Sequence, residues 1–371
     1  MKLLLIVDAF RGGAGNVIQI LAGQLRRRGH RVTILLLNGA IDLPKHDLTG
    51  VQVIEYPLVE NEPAKTPIGR LLRYKRAVKR LIRQTAPDAV LSFLTEYNCL
   101  TAWNIGGKLP LVISERNNPF QEKAKPQWEF LRKRYYKKAD KLVVQCKEFA
   151  DFYPPRVREK ICVIPNPILT PKVTAGEQHE YEVRLVSMGR LHPQKNYPWM
   201  IEALCRIHEQ NPTCRLSIYG SGEEEARLST LIEARGAGEF ITLAGKTDTP
   251  HAVLSESDIY LMTSDYEGFP NALSEAMAVG LPSVSRICHE GLRDLVEDGV
   301  NGYLVAPDDM DGFVQRVLTL AADPELAKDV GDRAKSVTVR YGVSGITDRF
   351  EAVLRDAVEM HAKGRRRKER T

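Results

Sequence analysis

Long apolar runs are missing from this 371-residue chain. The longest, such as Leu3–Val7 and Val32–Leu37, have strand length, against the roughly 18 to 20 residues that a membrane-spanning helix needs. The apolar start runs directly into a glycine-rich loop with no cleavage-type stretch, so no secretory signal is expected and the chain is expected in the cytosol. Cysteine pairing is absent as well. Cys99, Cys146, Cys162, Cys205, Cys214 and Cys288 are scattered, with no close pair and no histidine at ligand spacing, which argues against a zinc site and a disulfide framework. Each half is also short of one sign of charge. Residues 1–168 carry 29 Lys and Arg against 15 Asp and Glu, a net +14; residues 169–362 carry 18 against 31, a net −13; the tail from 363 adds +5. A basic N-terminal half predicts contact with an anionic surface.

What is present is a repeated α/β pattern. The length suits two domains of roughly 150 to 200 residues each, and 43% hydrophobic with 27% charged residues is ordinary for a globular protein. Leu3–Val7 reads as a buried strand, Gly12–Gly15 as a loop, Val17–Arg28 as an amphipathic helix and Val32–Leu37 as the next strand, a βαβ unit. Strands are expected at Val51–Tyr56, Ala89–Phe93, Leu111–Ser114 and Lys141–Val144, followed by a break at Ile164-Pro-Asn-Pro-Ile168 and a polar stretch through Glu182. The pattern restarts with strands at Val183–Met188, Arg215–Tyr219, Ile241–Leu243, Asp258–Met262 and Leu281–Ser285, with helices at Trp199–Glu209 and Glu224–Ala234 between them. The expected parts are an N-terminal domain over 1–168, a second over 169–345, and a helix and basic tail over 346–371. Two parallel, Rossmann-like sheets with a cleft between them follow from the pattern.

The densest chemistry lies in Glu267-Gly-Phe-Pro-Asn-Ala-Leu-Ser-Glu275-Ala-Met-Ala-Val-Gly280-Leu-Pro282. Asn271 is expected to cap a helix that Gly280 and Pro282 end. The N–H groups of Asn271, Ala272 and Leu273 and the positive end of the helix dipole suit a phosphate, and Glu267 and Glu275 suit sugar and ribose hydroxyls. An amphipathic helix with two solvated glutamates fits the spacing too. The full string resembles the Glu-x7-Glu motif of the retaining GT-B glycosyltransferases of family four. That resemblance implies Glu267 on the donor sugar and Glu275 on the ribose, with Gly268, Phe269, Pro270, Asn271, Ala272 and Leu273 lining the donor site.

Gly189-Arg190-Leu191-His192-Pro193-Gln194-Lys195 follows the first strand of the second half, where ligands bind in doubly wound sheets. Arg190 offers a fork and Lys195 a compact charge to a diphosphate, although a solvated basic loop has the same composition. The string also matches the family's Gly-Arg-Leu…Lys element, which makes Arg190, Lys195 and Glu267 the catalytic candidates, with Gly189 and Gly220 as donor-side glycines. The loop at Gly12 and Gly13 fails as a dinucleotide fingerprint, because Ile18 stands at the third glycine and Asn38 follows the second strand. The resemblance assigns Gly13 to donor phosphate and Gly12 to the acceptor side, joined by Glu96, Glu115, Arg116 and Asn117. Arg116 stands where many relatives carry His. Ser114–Pro119 and Leu91-Ser-Phe-Leu94 resemble the branch that extends lipid-linked sugars, N-acetylgalactosamine transferases included.

Ile68–Arg83, with seven Lys or Arg, and Arg132–Lys138 are basic amphipathic stretches that suit an anionic membrane face as well as a solvated one. No nucleic-acid motif accompanies them. The resemblance therefore implies a GT-B fold whose last helix crosses back to the first domain. It implies a retaining enzyme that moves a hexose or N-acetylhexosamine from a UDP-sugar to a polyprenyl-diphosphate-linked saccharide, and the basic N-terminal half adds the expectation of a peripheral place on the inner membrane face. Neither cofactor nor metal is expected: an Asp-x-Asp element of the kind that holds Mg²⁺ in the other glycosyltransferase fold is read as absent, and Asp308-Asp309 lies outside the proposed cleft motifs. A nucleotide-sugar 2-epimerase of the same fold and a nucleic-acid-binding protein are the alternatives.

Overall fold

Strands buried on both faces read as unbroken apolar runs, and Leu3–Val7 is such a strand, with every residue at most 2% exposed. The computed structural model describes residues 1–37, 44–55, 67–176 and 182–368, without the side chains of 67, 68, 70, 71 and 365–368. Asn38, Tyr56, part of the polar stretch before Glu182, the side chains of Ile68, Arg70 and Leu71, and most of the basic tail lie outside the described residues. The chain forms two compact units, residues 1–167 with 343–371, and residues 168–342.

The first unit runs β1 (Lys2–Val7), α1 (Gly12–Arg27), β2 (Arg31–Leu36), β3 (Gln52–Glu55), α2 (Pro67–Thr85), β4 (Ala89–Phe93), α3 (Thr95–Ile105), β5 (Leu111–Ser114), α4 (Pro126–Tyr135), β6 (Lys141–Val144), α5 (Pro155–Arg158) and β7 (Ile161–Val163). Its sheet is parallel throughout in the order β3-β2-β1-β4-β5-β6-β7. Leu3 pairs with Val32 on one side of β1 and with Ala89 on the other, so the strand order reverses there.

The glycine run that the sequence suggests is a loop is instead the first turn of α1. A Cβ on Gly15 would stand 2.5 Å from the carbonyl carbon of Phe10, so only glycine lets the helix start this close to the strand exit.

The second unit runs β8 (Val183–Met188), α6 (Tyr197–Gln210), β9 (Cys214–Tyr219), α7 (Glu225–Ala234), β10 (Ile241–Gly245), α8 (Pro250–Ser255), β11 (Ile259–Met262), α9 (Asn271–Val279), β12 (Ser283–Arg286), β13 (Tyr303–Val305), α10 (Met310–Ala322), α11 (Pro324–Ala334) and α12 (Val337–Arg340). Its parallel sheet has the order β10-β9-β8-β11-β12-β13. The reversal falls between β8 and β11. Leu185, Leu216, Ile218, Ile259 and Leu261 of this sheet share one core with Met200, Leu204 and Ile207 of α6 and Phe313 and Val317 of α10.

The last helix, α13 (Val343–Lys368), returns to the first unit. Phe350 stacks on Phe93 with ring centroids 6.4 Å apart, and Leu354 and Ala357 are fully buried. At its rim Arg28 reaches Asp348 at 2.6 Å and Glu351 at 3.1 Å, and His30 Nε2 lies 3.1 Å from Glu351 Oε1. Both sheets with their helices form the GT-B architecture.

Candidate active site

In a doubly wound sheet the loops on either side of the reversal splay apart and leave a crevice at the strand carboxyl ends. In the second unit those loops are Gly189–Asn196 after β8 and Thr263–Pro270 after β11. Glycines bring the neighbouring backbones into contact. A Cβ on Gly220, where φ is +153°, would stand 1.8 Å from the carbonyl oxygen of Gly189, and one on Gly222 would stand 2.1 Å from that of Leu191. With side chains absent, Gly189 N–H donates to Tyr219 O at 2.9 Å and Leu191 N–H to Ser221 O at 3.0 Å. Gly189 serves a second purpose, since a Cβ there would meet Lys195 Cε at 2.8 Å.

A short 3-10 turn, Pro193–Lys195, presents the lysine. His192 Nδ1 accepts the Gln194 N–H at 3.1 Å to start the turn, and Asn196 ends it in the left-handed region at φ 49°. Lys195 Nζ then donates to Glu267 Oε1 at 2.6 Å, and Ser264 Oγ donates to the same oxygen at 2.7 Å. Glu267 is only 6% exposed, so its charge is balanced mainly by these partners. Burial, and next the charge of Glu267, pushes the Cys288 thiol up, and burial together with Tyr197 and Glu267 pushes up the Tyr260 phenol. Both therefore stay protonated beside the carboxylate, and neither competes with it as an anion. Arg190 is exposed, and its Nη2 donates to Gln194 Oε1 at 3.3 Å.

Gly268, Phe269 and Pro270 lead into α9. The expected cap at Asn271 is not what forms: Pro270 occupies the cap position and Asn271 is the first helical residue. The Asn271 N–H donates to Phe269 O at 2.9 Å, which removes it from the set of free amides and leaves Ala272 and Leu273 at the open end of the helix. Glu275 lies one turn further in and is half-buried. Gly280 closes α9 at φ +93°, with Leu281 N–H donating to Ala276 O at 3.0 Å, a Schellman-type stop. Phe269 sits edge-on to Tyr341 at 6.1 Å.

The structure thus brings together Gly189, Arg190, Lys195, Gly220 and Glu267, followed in the chain by the helix that carries Glu275. One Asp-x-Asp does occur, Asp309-Met310-Asp311, where the sequence reading counted none. Its residues are engaged: Asp309 Oδ1 caps α10 by accepting the Gly312 N–H at 2.8 Å, and Asp311 pairs with Arg206 at 3.1 Å. The sequence reading also missed Gln194 and Ser264. Ser264 is three residues before Glu267 and Gln194 is adjacent to Lys195, so spacing to the charged residues was the available signal.

In the first unit the proposed acceptor-side residues separate. Gly12, Gly13 and Glu96 are exposed at helix starts and Asn117 is half-buried. Glu115 is turned inward, accepting from Thr95 Oγ1 at 2.6 Å, from Asn98 Nδ2 at 3.1 Å and from the Tyr136 hydroxyl. Arg116 is buried between the rings of Phe93 and Phe350, 5.3 and 5.1 Å from the centroids, and donates to Ile164 O and Asn166 Oδ1. Burial pulls its guanidinium down to about 9, still cationic at neutral pH. Glu115 and Arg116 therefore brace the unit's interior, a role that an acidic and a basic residue after a strand do not advertise.

Two doubly wound units, one with a cation–carboxylate cluster at its switch point, define the GT-B class of fold. The Glycosyltransferase Family 4 model matches residues 11–171 and the Glycosyl transferases group 1 model matches residues 175–337. The chain belongs to this glycosyltransferase family. It is 29% identical over 170 residues to an uncharacterized glycosyltransferase of Haemophilus influenzae, covering 46% of this chain and 48% of that one, so the match spans about half of that relative's length. It is 23% identical over 360 residues to the Campylobacter jejuni α-1,4-N-acetyl-D-galactosaminyltransferase that acts on GalNAc-α-(1→4)-GalNAc-α-(1→3)-diNAcBac-PP-undecaprenol, covering 94% and 97% of the two chains. A variant of Staphylococcus aureus TarM, crystallised with fondaparinux, α-GlcNAc-glycerol and UDP, superposes with a TM-score of 0.78 at 14% identity over 95% of this chain and 99% of that one, a likeness of fold.

Proposed function

We propose that this protein transfers a hexose or N-acetylhexosamine from a UDP-sugar to a polyprenyl-diphosphate-linked saccharide, with retention at the anomeric carbon, in the assembly of a cell-surface glycan. The observation that carries the reading is the Lys195–Glu267 pair at 2.6 Å, set at the switch point ahead of the open end of α9. A buried carboxylate beside a cation and free amides offers acceptors for sugar hydroxyls and donors for a diphosphate in one place. The C. jejuni relative's acceptor is undecaprenyl-diphosphate-linked and TarM was crystallised with UDP; these support the choice of acceptor and donor.

In this reading Glu267 receives the donor-sugar hydroxyls and Glu275 the ribose. Arg190, Lys195 and the amides of Ala272 and Leu273 stabilise the negative charge that grows on departing UDP, while a donor phosphate oxygen takes the acceptor proton. The two cations do the work a divalent metal does elsewhere, and Asp309 and Asp311 are occupied as a helix cap and an ion pair, so the reaction is proposed to be metal-independent. The first unit takes the acceptor, with Gly12 and Glu96 exposed and Asn117 half-buried on the acceptor side.

No helix among the described residues is long and apolar enough to cross a membrane. The proposed location is cytoplasmic and peripheral, with α2 against anionic lipid: Tyr74, Val78 and Leu81 are buried on one face while Lys75, Arg76, Lys79, Arg80 and Arg83 are exposed on the other. Incubation with UDP-sugars and a polyprenyl-diphosphate-linked saccharide, read by NMR of the product, tests the reaction. An α-linked product formed in EDTA is expected; a β-linked product or strict dependence on a divalent ion overturns the mechanism.

A further inference from the structure

We infer that Gln194 is a positioning residue that couples the diphosphate end of the site to its sugar end; the inference rests on the transferase reading above. Its side chain is bonded to both loops that frame the crevice, to the cation of one and to the acid-bearing backbone of the other. Its Oε1 accepts from Arg190 Nη2 at 3.3 Å, while its Nε2 donates to Tyr266 O at 2.8 Å and to Glu267 Oε2 at 3.4 Å. Its main chain joins the same two loops, because Asp265 N–H donates to Gln194 O at 2.9 Å. The residue is 7% exposed, so these bonds are shielded from water.

The chemistry requires an amide. One end must accept from a cation and the other must donate to a carbonyl and a carboxylate, and among neutral side chains Asn and Gln pair an acceptor oxygen with a separate nitrogen that has two hydrogens to donate. The 2.8 Å bond falls on the carbonyl of the peptide that leads into Glu267, so it fixes the backbone from which the acid projects. Lys195 and Ser264 hold one carboxylate oxygen of Glu267, and Gln194 faces the other. Losing the amide leaves Lys195, Arg190 and Glu267 in the protein but lets the Glu267 loop drift relative to the phosphate-side cations. Misplacement by about 1 Å is enough to cost turnover on the order of a hundredfold.

Two near-isosteric variants separate the possibilities. Gln194→Met keeps length and removes both functions; Gln194→Glu keeps an acceptor for Arg190 but sets a carboxylate against Tyr266 O and Glu267. Expected for Gln194→Met is a fall in kcat of about tenfold or more, with UDP affinity, measured by titration calorimetry, within about twofold of wild type. Expected for Gln194→Glu is a similar loss at pH 8 that is relieved as the pH is lowered. There the introduced carboxyl gains a proton and becomes a donor again, so the variant-to-wild-type ratio of kcat rises toward acid pH for Gln194→Glu and stays flat for Gln194→Met. A purely structural residue would lower melting temperature and scale kcat with the folded fraction, without acid relief. Unchanged kcat in Gln194→Met, or no acid relief in Gln194→Glu, overturns the inference. If wild type itself binds UDP but transfers no sugar, the failure belongs to the transferase reading instead.

Discussion

Lys195 and Glu267, 72 residues apart in the chain, meet at 2.6 Å with both side chains largely withdrawn from water, at 18% and 8% exposure. A buried pair of this kind contributes little net stability, yet removal of one member strands the other. Lys195→Met is expected to destabilise by about 3 kcal/mol, and adding Glu267→Leu is expected to restore part of that loss rather than double it. Urea unfolding of the two single variants and the double variant measures the coupling; strict additivity would mean that the two charges do not sense each other.

The two carboxylates are expected to separate in kinetics. Glu267→Ala is expected to lower turnover with little change in UDP affinity, because the proposed function sets Glu267 on the donor sugar and not on the nucleotide. Arg190→Ala or Lys195→Ala cuts kcat by about a hundredfold or more, the loss of roughly 3 kcal/mol of charge stabilisation. Steady-state kinetics on a UDP-sugar check both, and variants that retain full kcat would remove these residues from the chemistry.

Backbone contact at the crevice gives a steric prediction. Gly220→Ala would place a Cβ 1.8 Å from Gly189 O, so it is expected to abolish the folded second unit or lower its melting temperature steeply. Gly236→Ala is the control. Its φ is +62° with nothing within 4 Å of a new Cβ, and its cost is the left-handed penalty of about 1 to 2 kcal/mol. Equal melting temperatures for the two variants would contradict the packing described.

A pH prediction concerns the anchorage of α13. Burial alone would raise the Glu351 carboxyl, but hydrogen bonds from Arg355, Arg28 and His30 outweigh it and hold the group at about 2, below its usual 4.5. A depressed carboxylate contributes stability that is present above the unfolded value and lost as pH falls. The window is therefore pH 4.5 to 2. Thermal melts across that range should show wild type losing its advantage over Glu351→Gln as the pH drops; a constant difference would place the stabilisation elsewhere.

How much of this was legible in the sequence follows from burial. A strand covered on both faces, β1, announces itself as an unbroken apolar run from Leu3 to Val7, whereas β7 and β13, at three residues each, are too short to show a period. The helix α3 was missed because Tyr97 through Ala102 are all buried, Asn98 and Thr101 among them, so no polar face marks a 3.6-residue repeat. In the site, Arg190, Lys195 and Glu267 were readable from charge and position. Gln194 had only its place next to Lys195 as a signal, since a neutral amide reveals its task through its partners. Glu115 shows the opposite case: a carboxylate at a strand end looks exposed in the sequence, and the Thr95, Asn98 and Tyr136 contacts show that it points inward.

Membrane docking through α2 should weaken with salt, because the attraction acts within a Debye length of about 8 to 10 Å. Sedimentation with phosphatidylserine vesicles at low ionic strength should carry the wild type down and leave a variant with Lys75, Arg76, Lys79 and Arg80 reversed to Glu in the supernatant. Equal binding by both proteins would make the basic face of α2 a solvated surface.

The central claim, that the second unit grips a uridine diphosphate sugar between its cations and the start of α9, is tested most directly by calorimetric titration of UDP into wild type and Glu275→Ala. The account predicts saturable binding by the wild type, unaffected by EDTA. Glu275→Ala should weaken it by about tenfold or more, the loss of a hydrogen-bonded charge worth about 1.5 to 3 kcal/mol. Absence of UDP binding, or the same affinity in both proteins, would contradict it.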